Sequence, residues 1–226
     1  MMLAANLKVN RRPKRVRRAL RRHLRPRPKV VALQEAGGYL DCIRDLADQL
    51  GYRVIAAPAS AGKGMNSSVL LIHADVTVYA SGVALARTPW IGPRLRIRWA
   101  GRAFSWAVVD LDGKRTLVAS VHMPTEGRGL NRVAWAACKA RLRLLVRKHG
   151  SQAFALLGDW NNRDDDTGRK SIRHMAKRLG AEIVRGGSHI DYAVARGIAL
   201  VGRRGPARGS DHPSTTYSRK EARPGR

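Results

Sequence analysis

Val30-Val31-Ala32-Leu33 is an unbroken apolar run, entered from Pro28-Lys29 and left through Gln34-Glu35. A strand with no polar alternate has both faces covered, so it has to lie inside a layered structure. Phe154-Ala155-Leu156-Leu157 repeats the pattern and runs out into Gly158-Asp159-Trp160-Asn161. Met2 to Val9 reads as a first strand, and Tyr52 to Ala56 and Ser68 to Ile72 as others. Val76 to Ala86, Leu95 to Trp99 and Phe104 to Val109 add three strand candidates. Asp112-Gly113 predicts a hairpin joining Phe104–Leu111 to Thr116–His122. Short strands follow near Ile183, Ile190–Val194 and Ile198–Val201.

Helical spacing is confined to a few segments. Ile43, Leu46, Ala47 and Leu50 share one side of a helix from Leu40 that Gly51 stops. Leu130 to Lys148 predicts a long amphipathic helix, and Ser171 to Leu179 a shorter one. Strands therefore dominate, helices intervene at a few places, and several connections are hairpins. That order predicts a layered α/β fold with mixed sheets rather than a doubly wound parallel sheet. A length of 226 residues suits one well-buried domain.

Charge sets the class of partner. Lys+Arg number 44 against 16 Asp+Glu, a formal charge of +28. A field of that sign draws polyanions, nucleic acid first and an anionic lipid surface second. A coding bias toward Arg, Ala and Gly would raise the charge without any binding role. From Lys8 to Lys29 the chain carries Arg and Lys and no acid. Val16, Leu20 and Leu24 recur there at helical spacing from about Pro13, so this segment 8–29 is either a packed helix with a solvated basic face or a phosphate-contacting arm. On the second reading Arg11, Arg12, Arg15, Arg18 and Arg22 are the candidate phosphate contacts. Past Tyr217 the tail, 218–226, is basic with little to bury and is expected to be disordered.

Cys42 and Cys138 stand alone among apolar neighbours, in neither a disulfide framework nor a zinc pattern, and are expected to be buried reduced thiols. No apolar run approaches the ~18 residues of a membrane span, and Met1 to Ala5 is too short for a signal-peptide core. The expected setting is the cytoplasm.

The informative residues are polar ones placed where a strand runs out. Glu35 ends one strand and His122 another. Asp159 and Asn161, two apart, share a face if the chain stays extended. Asp191 lies inside a strand between Ile190 and Tyr192, where an acid needs a partner such as histidine. Asp211 and His212 are adjacent, so with Ser210 they cannot form a nucleophilic triad on one face. A single such acid is more often a turn or cap residue, and His122 alone more often a satisfied, partly buried histidine; all of them at strand ends suggest one site built on a rigid sheet. Asp164-Asp165-Asp166 reads as a solvated loop, since the calcium-loop glycine is missing.

Gln34-Glu35, His122, Gly158-Asp159-Trp160-Asn161, Ile190-Asp191-Tyr192 and Ser210-Asp211-His212, with Asn6 in the first strand, resemble in order the motifs of the endonuclease/exonuclease/phosphatase family. The resemblance spans about Leu3 to Tyr217. It implies a four-layered sandwich, two mixed β-sheets flanked by helices, with residues 1–217 as one catalytic domain. It implies Glu35 as the principal ligand of Mg2+ (or Mn2+), with Asn6 and Asp211 nearby. Asp159 and Asn161 would orient the attacking water and hold phosphate oxygens. His212, oriented by Asp191, would act as general base or donor, and His122 would contact the scissile phosphate. A cation and fixed donors are what a phosphodiester requires, because its charge repels hydroxide. The implied activity is a metal-dependent phosphodiesterase, a nuclease on DNA before RNA given the charge. A phosphatase or phosphodiesterase on inositol phosphates or lipid headgroups would use the same surface, and a non-catalytic basic nucleic-acid-binding protein would keep only the fold.

Overall fold

Both apolar runs become strands with covered faces, each central in its sheet. The computed structural model describes residues 1–7, 13–57, 68–91, 97–124, 130–150, 152–161, 169–186, 191–205 and 214–220, with the backbone alone for 87–91, 97–101, 130–132 and 169–171. One mixed six-stranded sheet contains β1 (Met2–Asn6), β2 (Val30–Gln34), β3 (Tyr52–Ile55), β4 (Ser68–His73), β11 (Leu200–Arg204) and β12 (Thr215–Arg219), in the order β11-β12-β1-β2-β4-β3. The other contains β5 (Val78–Ile91), β6 (Ile97–Leu111), β7 (Lys114–His122), β8 (Phe154–Asp159), β9 (Glu182–Arg185) and β10 (Asp191–Arg196), in the order β5-β6-β7-β8-β10-β9. Each sheet has one parallel pair, β1/β2 and β7/β8, and is otherwise antiparallel. The helices are α1 (Pro13–Leu24), α2 (Leu40–Gln49), α3 (Leu130–His149) and α4 (Arg169–Leu179).

Strand alternation divides the apolar residues among three buried layers. In β2, Val30 and Ala32 join Ala155, Leu157, Val118 and Ala193 in a core between the sheets. Val31 and Leu33 point the other way, into a core with Leu20 and Leu24 of α1 and Ile43 and Leu46 of α2. On the far side Leu117, Phe154, Leu156 and Val194 pack with Trp135 and Leu142 of α3 and Met175 of α4. The result is a helix–sheet–sheet–helix sandwich. Helix α1 is packed by the Val16, Leu20, Leu24 stripe, joined by Ala19 and His23, while Arg15, Arg18 and Arg22 are exposed on its outer side.

Two strand expectations change. Leu95–Trp99 and Phe104–Val109 are not separate: from Ile97 on they form one strand, β6, and its partner β5 continues past Ala86 to Ile91. Pro89 is accommodated because β5 is the edge of its sheet, where a missing N–H breaks no inner ladder. Asp191 is the first described residue of β10, and Ile190 lies outside the described residues. Strand β12 reaches Arg219, two residues into the expected tail, because Ser218 and Arg219 pair with Val201 and Leu200. The expected hairpin turns at Asp112 (φ 57) and Gly113 (φ 77), both left-handed, as a tight two-residue β-turn demands. Among the described residues no helix is long and apolar enough to cross a membrane.

Candidate active site

At one end of the sandwich the inward-facing positions change from apolar to polar on strand after strand. The inward series are Met2, Ala4, Asn6 on β1 and Val30, Ala32, Gln34 on β2. They are Val118, Ser120, His122 on β7, then Ala155, Leu157, Asp159 on β8 and Ala195, Ala193, Asp191 on β10. Register aligns the polar ends: Asn6 pairs with Gln34 in one sheet, and Asp159 with both His122 and Asp191 in the other. Two polar rows therefore face each other across the gap between the sheets.

Below the rows the two sheets are joined by buried hydroxyls and an amide. Ser120 Oγ donates to the Leu33 carbonyl at 3.0 Å, and Gln34 Nε2 donates to Ser120 Oγ at 3.1 Å. Ser105 Oγ donates to the Ser68 carbonyl at 2.8 Å. Buried polar groups of this kind fix the spacing and register of the sheets because breaking one strands its partner without water.

Glu35 follows Gln34 and, on an extended chain, would turn toward the helices. Its φ of 53 ends the strand and brings the carboxylate back to the gap. A non-glycine residue in that region costs about 1–3 kcal/mol, an expense found mainly at functional positions. Asn6 Nδ2 donates to Glu35 Oε1 at 3.1 Å and to Asp159 Oδ2 at 3.2 Å, so one amide bridges carboxylates from both sheets. With its N–H groups so used, buried Asn6 Oδ1 is left without a hydrogen-bond partner among the described residues. His122 Nε2 lies 3.9 Å from Asp159 Oδ2. One ligand atom from each of Glu35, His122 and Asp159 falls within 4.8 Å of the others. Carboxylates gathered this closely repel one another and call for a cation. The carboxylate oxygens and the bare Asn6 amide oxygen make a hard oxygen donor set that fits a divalent metal ion, with the His122 imidazole beside it.

The end of β8 is built around Gly158. Its φ is 139, and a Cβ there would lie 2.6 Å from Gln34 Nε2. Only glycine lets the bridging glutamine close against this strand. Trp160, fully buried, anchors the chain beyond by donating Nε1 to the Tyr192 carbonyl at 3.1 Å. Asn161 is not extended: its φ is 47, so strand periodicity does not place it beside Asp159. A local turn does. The Asn161 N–H donates to Asp159 Oδ1 at 2.8 Å, and Asn161 Nδ2 to the Met123 carbonyl at 2.7 Å. Nearby, burial and the Asp191 carboxylate push the Tyr217 phenol far above its ordinary range, holding it neutral.

The structure thus brings together Asn6, Glu35, His122, Asp159 and Asn161, with Asp191 beside Asp159 in register. Asp211 and His212 lie outside the described residues, as do Arg11 and Arg12. Arg15, Arg18 and Arg22 sit on the outer helix layer, not in the gap. Sequence reasoning missed Ser68, Ser105 and Ser120 as supports. The two-residue step Val118, Ser120, His122, apolar to polar on one face, was the available clue for the last.

Comparison with known proteins bears on this arrangement. The model of the "Endonuclease/Exonuclease/phosphatase family" matches residues 3–212. No curated protein matches the chain. Among solved structures, an endonuclease/exonuclease/phosphatase family protein from Leptotrichia buccalis C-1013-b is similar at 15% identity and TM-score 0.67, covering 97% of this chain and 99% of that one. A mannosyl-6-phosphatase from Bacteroides thetaiotaomicron VPI-5482 shows 15% identity and TM-score 0.67 over 96% and 98% of the two chains. The endonuclease domain of TRAS1, a telomere-specific non-LTR retrotransposon, shows 16% identity and TM-score 0.63 over 97% of each. At these identities the likeness is one of fold.

Proposed function

Because the chain belongs to the endonuclease/exonuclease/phosphatase family, we propose that it is a Mg2+-dependent phosphodiester hydrolase acting on nucleic acid, DNA before RNA. The observation that carries this reading is the convergence of Glu35, His122 and Asp159 from two facing sheets, bridged by the Asn6 amide. Glu35 and the bare Asn6 carbonyl oxygen, with Asp211, would hold Mg2+ or Mn2+. A bound cation supplies charge neutralisation at the phosphate.

The chain's own residues do the rest. Asp159, locked by the Asn161 N–H and the Asn6 amide, orients the attacking water. Asn161, pinned to Met123, presents its amide to phosphate oxygens. His122 donates to the scissile phosphate, stabilising charge as it develops. His212, which the family resemblance pairs with Asp191, would move the proton. The formal charge of +28 favours a polyanionic substrate over a small ester. The endonuclease and mannosyl-6-phosphatase likenesses both agree with phosphoester chemistry.

The test is a panel: supercoiled plasmid, defined single- and double-stranded DNA and RNA, and inositol phosphates, each with Mg2+ and with chelator. Metal-dependent cleavage of the nucleic acids without release of inorganic phosphate from inositol phosphates is expected. Phosphate release with intact polynucleotides would replace this reading with a headgroup phosphatase. Binding without any turnover would leave a non-catalytic nucleic-acid-binding protein.

A further inference from the structure

A helix lying on a sheet is expected to be polar on its far side, and the outermost line of α3 is not. Trp135, Cys138, Leu142, Leu145 and Val146 are buried in the core beneath it. On the opposite side Val133, Ala137, Ala140 and Leu144 follow one another at steps of four, three and four residues. Val133 is 48% exposed and Leu144 53%, with Ala136 and Ala140 exposed and Ala137 half-buried between them. Helix α1 shows the ordinary arrangement, with Arg15, Arg18 and Arg22 on its outer side. In a chain with 44 Lys+Arg, the solvent-facing line of α3 carries none of them from Val133 to Leu144.

The spacing has a specific meaning. Apolar residues placed alternately three and four apart form a coiled-coil seam, narrower than the stripe that packs a helix onto a sheet. At ~1.5 Å per residue the seam on α3 is about 16 Å long. Its ends are branched side chains and its middle is alanine, which lets a second helix lie at the short end of the ~8–10 Å range of helix separations. On the heptad so defined, Arg141 and Lys148 stand on one side of the seam and Arg143 on the other, with Arg147 at its C-terminal end. Arg141, Arg147 and Lys148 are exposed and Arg143 is half-buried, and no Asp or Glu occurs between Glu126 and Asp159.

Those flanks decide the occupant. A second copy of the chain would set Arg and Lys against Arg and Lys, whether the two helices ran parallel or antiparallel, and like charges on the flanks of a seam oppose pairing. An anionic bilayer would suit the cations, but interfacial helices bury Trp, Phe or several Leu, and this seam has one leucine, one valine and alanines. A helix with apolar residues at matching positions and Glu or Asp beside them complements both the seam and its flanks.

We propose that the outer face of α3 is a docking surface for an acidic amphipathic helix of a partner protein, seated on Val133, Ala137, Ala140 and Leu144 and paired with Arg141, Arg143 and Lys148. This face is on the outer side of a helix layer, whereas the polar rows lie between the sheets, so docking here stands whatever ester the gap hydrolyses.

The experiment is fluorescence anisotropy of a labelled peptide of about four heptads, with Ile and Leu along its seam and Glu on both flanks, titrated with the full chain at ~150 mM salt. One comparison peptide carries Lys on the flanks, and another has the acidic composition in scrambled order. The acidic heptad peptide is expected to bind at least ~10-fold more tightly than either. Val133→Ser/Leu144→Ser is expected to weaken it about tenfold or more, because the apolar area it covers is lost. Ala140→Trp should weaken it as well, by holding the helices apart. Arg141→Glu/Arg143→Glu should reverse the preference and favour the Lys peptide. All these positions are exposed or half-buried, and an unshifted thermal midpoint separates lost docking from lost fold. Equal binding of the scrambled peptide, or acidic-peptide affinity indifferent to Val133→Ser/Leu144→Ser, would make the attraction diffuse charge and overturn the docking surface. A wild-type dimer in sedimentation velocity that Leu144→Ser dissociates would overturn it in favour of a second copy. Binding to phosphatidylcholine:phosphatidylglycerol vesicles of about 70:30 composition that Ala140→Trp strengthens, with no preference for the acidic peptide, would assign the face to a membrane instead.

Discussion

At the scale of single residues, the site depends on a few groups whose loss should have separable effects. Glu35 is held back toward the gap by a left-handed backbone and by the Asn6 amide. Glu35→Gln keeps the shape and removes the charge, so turnover should fall by about 10^3 or more, a barrier increase of roughly 4 kcal/mol, with oligonucleotide affinity in chelator kept. Single-turnover kinetics beside anisotropy separates the two. Gly158→Ala should instead unfold the region, because a methyl group meets the Gln34 amide and the backbone is already at φ 139. A fall in thermal midpoint, with activity lost in proportion, is the expected result. Cys138 is fully buried, and burial pushes its thiol up to about 12. Native protein should therefore resist iodoacetamide at pH 8 at this position, and react there in denaturant. Half-buried Cys42, whose thiol is raised by burial to a lesser degree, sets the internal comparison.

At the scale of elements, most of the fold was legible because its strands are short, apolar and sharply ended. Val30–Leu33 and Phe154–Leu157 announce covered strands, and their polar successors mark where cover ends. Glu35, His122 and Asp159 could be picked out for that reason. Asn161 could be picked out but not placed, since it reaches Asp159 through a left-handed turn and not through strand alternation. The full length of β5 and β6 was not legible, because an edge strand tolerates a proline such as Pro89 that an inner strand does not. Whether segment 8–29 packs was undecidable from its charges; the stripe on α1 settles it for residues 13–24. Leu20→Ala, at a fully buried position, should cost about 2–5 kcal/mol in denaturant unfolding, while Arg18→Ala should cost under ~0.5. The β6–β7 turn carries a small pH dependence. The Lys29 ammonium bonded to Asp112 holds its carboxyl below the usual range. A lowered folded value means the contribution is present above the ordinary carboxylate value and fades as pH falls through the folded one. Asp112→Asn, which keeps the left-handed turn, should flatten the acid limb of a stability–pH curve slightly.

At the scale of the whole molecule, +28 over 226 residues makes association with any polyanion strongly dependent on salt. With several phosphates neutralised, affinity should fall by about 10^3–10^5 between ~50 and ~200 mM salt, read as a linear log–log plot. Exposed arginines on α1 contribute to this field from the outer layer, while the gap between the sheets holds the buried acids Asp159 and Asp191. That division of labour, cationic exterior and acid-lined gap, is what a divalent cation would reconcile with a phosphodiester. The decisive measurement is the rate of cleavage of one labelled oligonucleotide, for wild type and Glu35→Gln, in Mg2+ and in excess chelator. Product should form only with wild type and Mg2+, and stop when chelator is added. Equal cleavage in chelator, or by Glu35→Gln, would show that the Glu35–His122–Asp159 cluster is not where the reaction occurs.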